Sequence, residues 1–276
     1  MNLLDAKRAE YSRSESCLYG TLAVGAGLYI LTALNTFALF GAAVSGIAVV
    51  AAIAQVVSFI LRRVSQQHYS QAERIRRMEM RRDGLSIVPS EAELAELRYE
   101  VGDTASIESA FVAPYYASEE PKGPRRLIEN IQESAFFTSK EARLCFLIGL
   151  GMVLVGVTVA FMSVVLPIFW GLKRPALEIM AQTALTGLVS WATGDIADMS
   201  WRYFQLERAT ANVMTRCEHA LQLEQGDLMN RAVTILDEYN SAVLEAPVIP
   251  EWVYKKLQQR LNEAWRTRKQ AFALES

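Results

Sequence analysis

The stretch LYGTLAVGAGLYILTALNTFALF, Leu18–Phe40, contains no charged residue. Its 23 residues, at about 1.5 Å of helical rise each, are enough to cross a hydrocarbon core about 30 Å thick. Three more apolar stretches follow, at Ala42–Leu61, Leu144–Trp170 and Ala176–Ala197, of which the last is the most polar. The sequence therefore predicts an all-α membrane protein, with four transmembrane helices arranged as two tandem hairpins.

The composition agrees with a chain that is partly embedded in a membrane. Hydrophobic residues make up 51% of the chain, and the mean hydropathy is +0.14. The formal net charge is only -2, but the charges are segregated. Arginines concentrate in residues 62–82, and acidic residues concentrate in 91–103 and 218–245. Such blocks are typical of membrane proteins. The three scattered cysteines, Cys17, Cys145 and Cys217, predict neither a disulfide framework nor a metal site.

Lysine and arginine residues predict the orientation of the hairpins. They precede the first span, follow the second, precede the third and follow the fourth. Because positive charge accumulates on the cytoplasmic side of a membrane, both termini and the middle segment are expected in the cytoplasm. Lys173 and Arg174, in the second outer turn, depart from this pattern. The expected domains are a cytosolic N-terminal segment 1–17, a first hairpin 18–61, a cytosolic helical middle region 62–143, a second hairpin 144–197 and a cytosolic helical C-terminal region 198–276.

The pattern Tyr-x-Gln-x-Glu-Arg occurs twice, each time directly after a predicted hairpin. The first copy is Tyr69–Arg74 and the second is Tyr203–Arg208. A match at the same place after both hairpins predicts a tandem duplication, in which a cytosolic helix follows each hairpin. Coincidence in a common interfacial composition is the alternative. In the first copy, Glu73 and Arg77 are spaced for an i,i+4 ion pair.

Short motifs predict where the cytosolic helices begin and end. Asp83-Gly84 is typical of a helix end. The capping boxes at Ser90–Glu93 and Thr138–Glu141 predict two helix starts. Pro250-Glu251 predicts the start of a final amphipathic helix. No alternating strand pattern is found in the sequence, so the cytosolic parts are expected to be helical.

The sequence lacks the motifs of common enzyme chemistry. It contains no Gly-rich phosphate loop, no Gly-x-Ser-x-Gly and no His-Glu-x-x-His, so we predict neither an enzyme nor a bound cofactor. Small and polar residues inside the spans are candidates for pore lining or helix packing, and interhelical hydrogen bonding is the alternative for the polar ones. These residues are Asn35, Gln55, Gln182, Thr183, Thr186, Gly20, Gly27 and Gly46. The glycines predict a homo-oligomer in the lipid bilayer. Neither DNA nor RNA is expected as a partner.

A set of cationic residues near the middle of the chain is a candidate site for an anionic ligand. Its members are Arg81, Arg82, Lys122, Arg125 and Arg126. Arginine forks suit phosphate groups. The alternative is that these charges only fix the topology and touch anionic lipid. Arg125-Arg126 is the best candidate, because Gly123-Pro124 holds the pair away from the predicted membrane exits.

One segment resembles a known bacterial family. In YYASEEPKGPRRLIENIQESAFFTSKEARL, the similar positions are Tyr115-Tyr116, Gly123–Arg126, Glu129-Asn130 and Gln132–Phe137, and the late stretch IPEWVYKKLQQRLNE adds to them. They resemble the pore-forming effectors with four transmembrane helices that accompany nucleotidyltransferases in anti-phage cyclic-oligonucleotide signalling. The likeness implies a protein of the bacterial inner membrane that is inactive until a cyclic nucleotide triggers it. It implies no catalytic residues.

Three functions are compatible with these features. The first is a ligand-gated, pore-forming membrane effector that oligomerises through its spans. The second is a small transporter or constitutive ion channel, which the duplicated hairpins and the polar fourth span also suit. The third is a non-conducting membrane scaffold whose cytosolic helices recruit partners.

Overall fold

The computed structural model describes residues 3–36, 44–101, 116–169, 196–222 and 227–275. Every regular element in these ranges is a helix, which confirms the all-α prediction. Most of the predicted fourth span lies outside the described residues. The helices of the described residues are α1 (Leu3–Thr36), α2 (Val44–Leu85), α3 (Glu91–Val101), α4 (Pro124–Phe169), α5 (Ala197–Leu221), α6 (Leu228–Glu245) and α7 (Glu251–Glu275).

The chain divides into two compact units. One, here called the polar unit, comprises Met1–Glu15, Gln66–Cys145 and Arg202–Ser276. The other, the apolar unit, comprises Ser16–Ser65 and Phe146–Trp201. Helices α1, α2, α4 and α5 each contribute residues to both units. The two units are therefore built largely from the same helices.

The polar unit has a core of fully buried apolar side chains. Ile75 of α2 and Leu97 of α3 belong to one buried cluster. On α4, Leu127, Ile128 and Ile131 are completely buried, and their spacing places them on one helix face. Each such side chain contributes about 1.5–3 kcal/mol when it leaves water. Burial of amphipathic helix faces therefore holds the polar unit together.

The structure confirms one predicted capping box and contradicts the other. At the start of α3, the backbone N–H of Glu93 donates to Ser90 Oγ at 3.2 Å, and the backbone N–H of Ser90 donates to Glu93 Oε2 at 2.8 Å. The predicted start at Thr138–Glu141 is wrong, because α4 runs without a break from Pro124 to Phe169. Its true start has proline at the first helical position, where the missing N–H costs no hydrogen bond.

The end of α2 makes a very close approach to the start of α4. A Cβ atom added to Gly84 would lie 2.8 Å from the Cα atom of Leu127. The backbone N–H of Gly123 donates to the Gly84 carbonyl at 2.7 Å. Only a residue without a side chain fits at position 84 with the backbones at this distance. The glycine that the sequence marks as a helix end is therefore also a helix contact.

We expect Gly84→Ala to destabilise the protein by about 1–3 kcal/mol, because the new methyl group overlaps backbone atoms that cannot rotate away. Thermal unfolding of the full chain in detergent, followed by circular dichroism, measures this loss. Gly123→Ala is the matched control, since the nearest atom to its added Cβ is 3.9 Å away. A stability loss for Gly123→Ala as large as that for Gly84→Ala would contradict the close-contact explanation.

The apolar unit exposes many large apolar side chains. On α2, Ile53, Val56 and Phe59 are 59%, 59% and 60% exposed. On α4, Val155 and Phe161 are 63% and 62% exposed. Monomeric soluble proteins rarely leave contiguous apolar surfaces of this kind in water. This surface is typical of helices that face lipid or another protein.

Within the described residues, one helical segment, Pro124–Thr158 of α4, is long and apolar enough to cross a membrane. Only 22% of its most apolar part is buried, whereas the core helix of a soluble protein is mostly buried. The segment therefore supports membrane association of the chain. The four-span arrangement as a whole stays a prediction.

Candidate functional site

Arg126, one of the predicted phosphate ligands, forms a bidentate ion pair inside the polar unit. Its Nη2 and Nε donate to the two carboxylate oxygens of Asp83, at 2.9 and 3.0 Å, and its Nη1 donates to the Glu120 carbonyl at 2.9 Å. Asn130 Nδ2 also donates to Asp83, at 2.8 Å. The Arg126 side chain is only 14% exposed. The structure thus shows Arg126 joining the start of α4 to the end of α2.

The neighbouring Arg125 is far more accessible. Its side chain is 49% exposed, and its Nε lies 3.7 Å from Glu120 Oε1, beyond hydrogen-bond distance. Arg81 is 38% exposed and lies 3.9 Å from a Glu93 oxygen. Arg82 and Lys122 both have interactions within the chain. Arg81, Arg125 and Arg126 thus lie beside carboxylates, and Arg125 is the member best placed to meet a ligand.

The small and polar residues predicted to line or pack the spans fall into different environments. A Cβ on Gly20 would lie 3.3 Å from the side chain of Leu61, so Gly20 packs α1 against α2 within the apolar unit. Gly27 has no atom within 4 Å of its added Cβ, and Gln55 is exposed on α2. Asn35 lies on α1 and Gly46 on α2. Gln182, Thr183 and Thr186 lie outside the described residues.

The structure also reveals a buried polar network that was not identified in the sequence. Arg76 of α2 donates from Nε to Glu73 at 2.7 Å and from Nη1 to the Tyr239 hydroxyl oxygen at 2.7 Å. Because arginine only donates, the Tyr239 O–H remains free to donate to Thr138 Oγ1, 3.0 Å away. Glu73 is thus paired with Arg76, whereas the i,i+4 spacing predicted Arg77 as its partner. The network joins α2, α4 and α6 through charged and hydroxyl groups.

Three polar contacts hold the start of α1 on α2. Lys7 pairs with Glu79, and the Tyr11 hydroxyl donates to Glu73. Glu10, which is completely buried, bonds the ring of His68. Burial, and then the Glu73 carboxylate, raise the pKa of Tyr11 well above its ordinary value, so Tyr11 stays a hydrogen-bond donor. The two helices are antiparallel here, since Lys7 pairs with Glu79 whereas Tyr11, which is later in α1, bonds Glu73, which is earlier in α2.

A sequence signal for this network exists in the spacing of its charges. Lys7 and Glu10 are three residues apart on α1, and Glu73, Arg76 and Glu79 recur every three residues on α2. This spacing places each set on one helix face. The same faces of α1 and α2 also carry apolar residues. The charged residues therefore interrupt two helix faces that are otherwise apolar and buried. Such an interruption indicates buried pairs between the two helices.

The two copies of the Tyr-x-Gln-x-Glu-Arg pattern share a buried tyrosine but differ in their charge partners. Tyr69 and Tyr203 are both 3% exposed. Arg74 of the first copy pairs with two glutamates of α3. Glu207 of the second copy lies 3.9 Å from Arg143 of α4. The structural feature that the two copies share is therefore a buried tyrosine in the polar unit, and the duplication stays a prediction.

Glu141 is a buried carboxyl group at the edge of the predicted third span. It lies on α4, three residues before the apolar stretch begins at Leu144, and it is 9% exposed. Burial raises the pKa of Glu141 to about 7, although the positive charge of Arg76 acts in the opposite direction. Near neutral pH this group is therefore divided between its protonated and ionised forms.

The stability of the protein should fall as pH rises from about 4.5 to about 7 because of Glu141. In this window the folded chain keeps a proton on Glu141 that the unfolded chain releases, because burial raises the pKa. A rise in pH therefore lowers the free energy of unfolding, and the loss is complete above about pH 7. The glutamine side chain of the Glu141→Gln variant is neutral at every pH. This variant should therefore be more stable than the wild type by roughly 2–3 kcal/mol at about pH 8. At about pH 4 the two proteins should be nearly equal.

Thermal unfolding of both proteins at the two pH values tests this expectation. Glu91→Gln, in the exposed first turn of α3, is the matched control for loss of a carboxylate and should lose at most about 1 kcal/mol at about pH 8, because only a helix-dipole contact is removed. A constant difference between Glu141→Gln and the wild type across the whole range would show that the carboxyl does not titrate as described.

The described residues contain no group of three or more His, Cys, Asp and Glu side chains placed to hold a metal ion. Cys145 and Cys217 are buried free thiols.

Comparisons with protein-family models, with curated proteins and with solved structures find no match to this chain.

Proposed function

We propose that this chain is a multi-pass protein of the bacterial inner membrane that opens a pore when a cyclic-nucleotide messenger triggers it. The observation that carries the proposal is the uncovered apolar surface of the apolar unit, on helices that continue into the polar unit. Val56 on α2 and Val155 on α4 are examples of this surface. A lipid bilayer can cover such a surface, because the backbone N–H and C=O groups of each helix are already hydrogen-bonded within that helix.

The unbroken helices supply a route from a cytosolic signal to the membrane. α4 extends from Pro124, beside Arg125 and Arg126, to Phe169 in its apolar half. Because α4 is one continuous helix, we expect a ligand that shifts its first turns to act on its apolar part as well. The buried network around Arg76 links α2 and α4 within the polar unit through Tyr239 and Thr138. Release of that link is the proposed gating event.

The proposed topology has four spans, two outer turns and both termini in the cytoplasm. A reporter fused after Ser276 or inserted near Gly102 should therefore report a cytoplasmic position, and a reporter inserted near Phe40 should report a periplasmic one. Paired fluorescent and alkaline-phosphatase reporters measure this directly. A periplasmic signal near Gly102 would overturn the two-hairpin arrangement.

Membrane potential in living cells distinguishes the proposed effector from the other two functions. With a potential-sensitive dye, cells that make the chain and a cyclic oligonucleotide should depolarise, and cells that make either one alone should not. A transporter or constitutive channel should carry flux without the messenger and without killing the cells. A scaffold should produce neither flux nor toxicity. Depolarisation that is independent of the messenger would contradict the proposed gating.

A further inference from the structure

The apolar surface of α2 contains one polar side chain in an otherwise apolar setting. Gln55 is exposed, together with Ile53 and Val56 on either side of it and Phe59 one turn later. Ala52, one turn before Gln55, is exposed as well. The amide is thus on the outside of the chain among side chains that the proposed function places in lipid.

The depth of Gln55 in the proposed bilayer makes its exposure costly. Arg62 and Arg63 follow the apolar stretch and mark its cytoplasmic end. Gln55 precedes Arg62 by seven residues, or about 10 Å along the helix. The half-thickness of the hydrocarbon core is about 15 Å, and a glutamine side chain is too short to reach the headgroups from this depth. An amide that faces lipid here lacks the partners that water would supply.

We propose that Gln55 pairs with Gln55 of a second copy of this chain, across a contact between two α2 helices. A carboxamide both donates and accepts, so two of them related by a two-fold axis satisfy each other. Ala52 lies on the same side of α2, and a small residue there lets the two helices approach closely. This inference rests on the proposed membrane position of the apolar unit, and it names the partner and the contact of the proposed oligomer.

Energy transfer between labelled copies measures the contact. The full chain, with donor or acceptor fluorescent proteins after Ser276, is reconstituted in phosphatidylcholine vesicles over a range of protein-to-lipid ratios. Gln55→Leu should shift the half-association point to a roughly 3- to 20-fold higher ratio, because lipid-embedded hydrogen bonds are of this strength. Gln55→Asn keeps an amide and should retain most of the association.

Two control variants separate the amide contact from general effects of added leucine. Gln67→Leu makes the same chemical change on α2 but in the polar unit, at an exposed position. Val155→Leu changes the exposed surface of α4, where the side chain is 63% exposed. Both should associate like the wild type. Wild-type association of Gln55→Leu, or an equal loss in Val155→Leu, would overturn the proposed contact.

The same vesicles distinguish failure of this contact from failure of the proposed function. If the wild type conducts on addition of the messenger but Gln55→Leu associates normally, the Gln55 contact is wrong and the proposed function stands. If the wild type associates through Gln55 but never conducts, the contact stands and the pore proposal is wrong. A wild type that inserts but stays monomeric at every ratio overturns the contact.

Discussion

Replacing Arg76 with methionine should cost the protein about 3–5 kcal/mol of stability, the largest loss expected for any single substitution considered. Methionine fills the volume but removes the cation that neutralises Glu73, whose side chain is only 5% exposed. It also removes the donor that Tyr239 accepts from. A buried carboxylate without its partner is far more costly than the intact pair. The loss is large against the total of about 5–15 kcal/mol typical of folded proteins.

Arg74→Met is the matched control, two residues earlier on the same helix. Arg74 pairs with glutamates whose side chains are 60% and 31% exposed, and such solvent-exposed pairs contribute only about 0.2–1 kcal/mol. Chemical unfolding in detergent should therefore separate the two variants clearly. The double variant Arg76→Met with Glu73→Gln should recover part of the stability, since no unpaired charge remains. Equal losses in Arg74→Met and Arg76→Met would contradict a buried role for Arg76.

Arg126→Ala should destabilise the protein by about 1.5–3 kcal/mol, whereas Arg125→Ala should leave the fold intact and weaken messenger binding by about one to two decades. Arg126 makes two hydrogen bonds to Asp83 at the junction of α2 and α4. Its loss leaves Asp83, which is 17% exposed, with Asn130 as a remaining donor. Arg125 is 49% exposed and makes no comparable pair, so its fork is available for a phosphate group.

The two adjacent arginines therefore need separate variants. Thermal unfolding measures the effect of Arg126→Ala on the fold, and titration with cyclic oligonucleotides measures the effect of Arg125→Ala on binding. Arg231→Ala, on α6, is a control for loss of an equally exposed arginine, since its side chain is 52% exposed. Wild-type affinity in Arg125→Ala would favour the alternative, in which these charges serve topology and contacts with anionic lipid.

Local features of the fold were predictable wherever a few neighbouring residues decide the structure. Ser90 and Glu93 cap α3 as expected, because both partners of the capping box are close in sequence. The start of α7 at Glu251 follows from Pro250 in the same way. The box at Thr138 failed because the preceding residues are already helical in α4, and a cap is needed only where a helix begins.

The charge spacing on α1 and α2 indicates that buried pairs exist, but the pairing partners in the polar network were not predictable from local sequence because they come from distant parts of the chain. Arg76 and Tyr239 are 163 positions apart. Arg126 and Asp83 are 43 positions apart, so the bidentate pair depends on how α2 meets α4. From sequence, Arg125 and Arg126 are equivalent cations after a fixed turn. Only the packing of the helices shows that one is tied to Asp83 and the other is exposed.

The most direct test of the proposed pore is release of an entrapped dye from vesicles that contain the purified full chain. The vesicles should be made of phosphatidylethanolamine and phosphatidylglycerol, and insertion should be verified by resistance of the protein to alkaline extraction. Dye should stay inside until a cyclic oligonucleotide is added and should then be released, with Arg125→Ala requiring a higher concentration. The same release with and without every cyclic oligonucleotide tested, from vesicles that contain inserted protein, would contradict a messenger-gated pore.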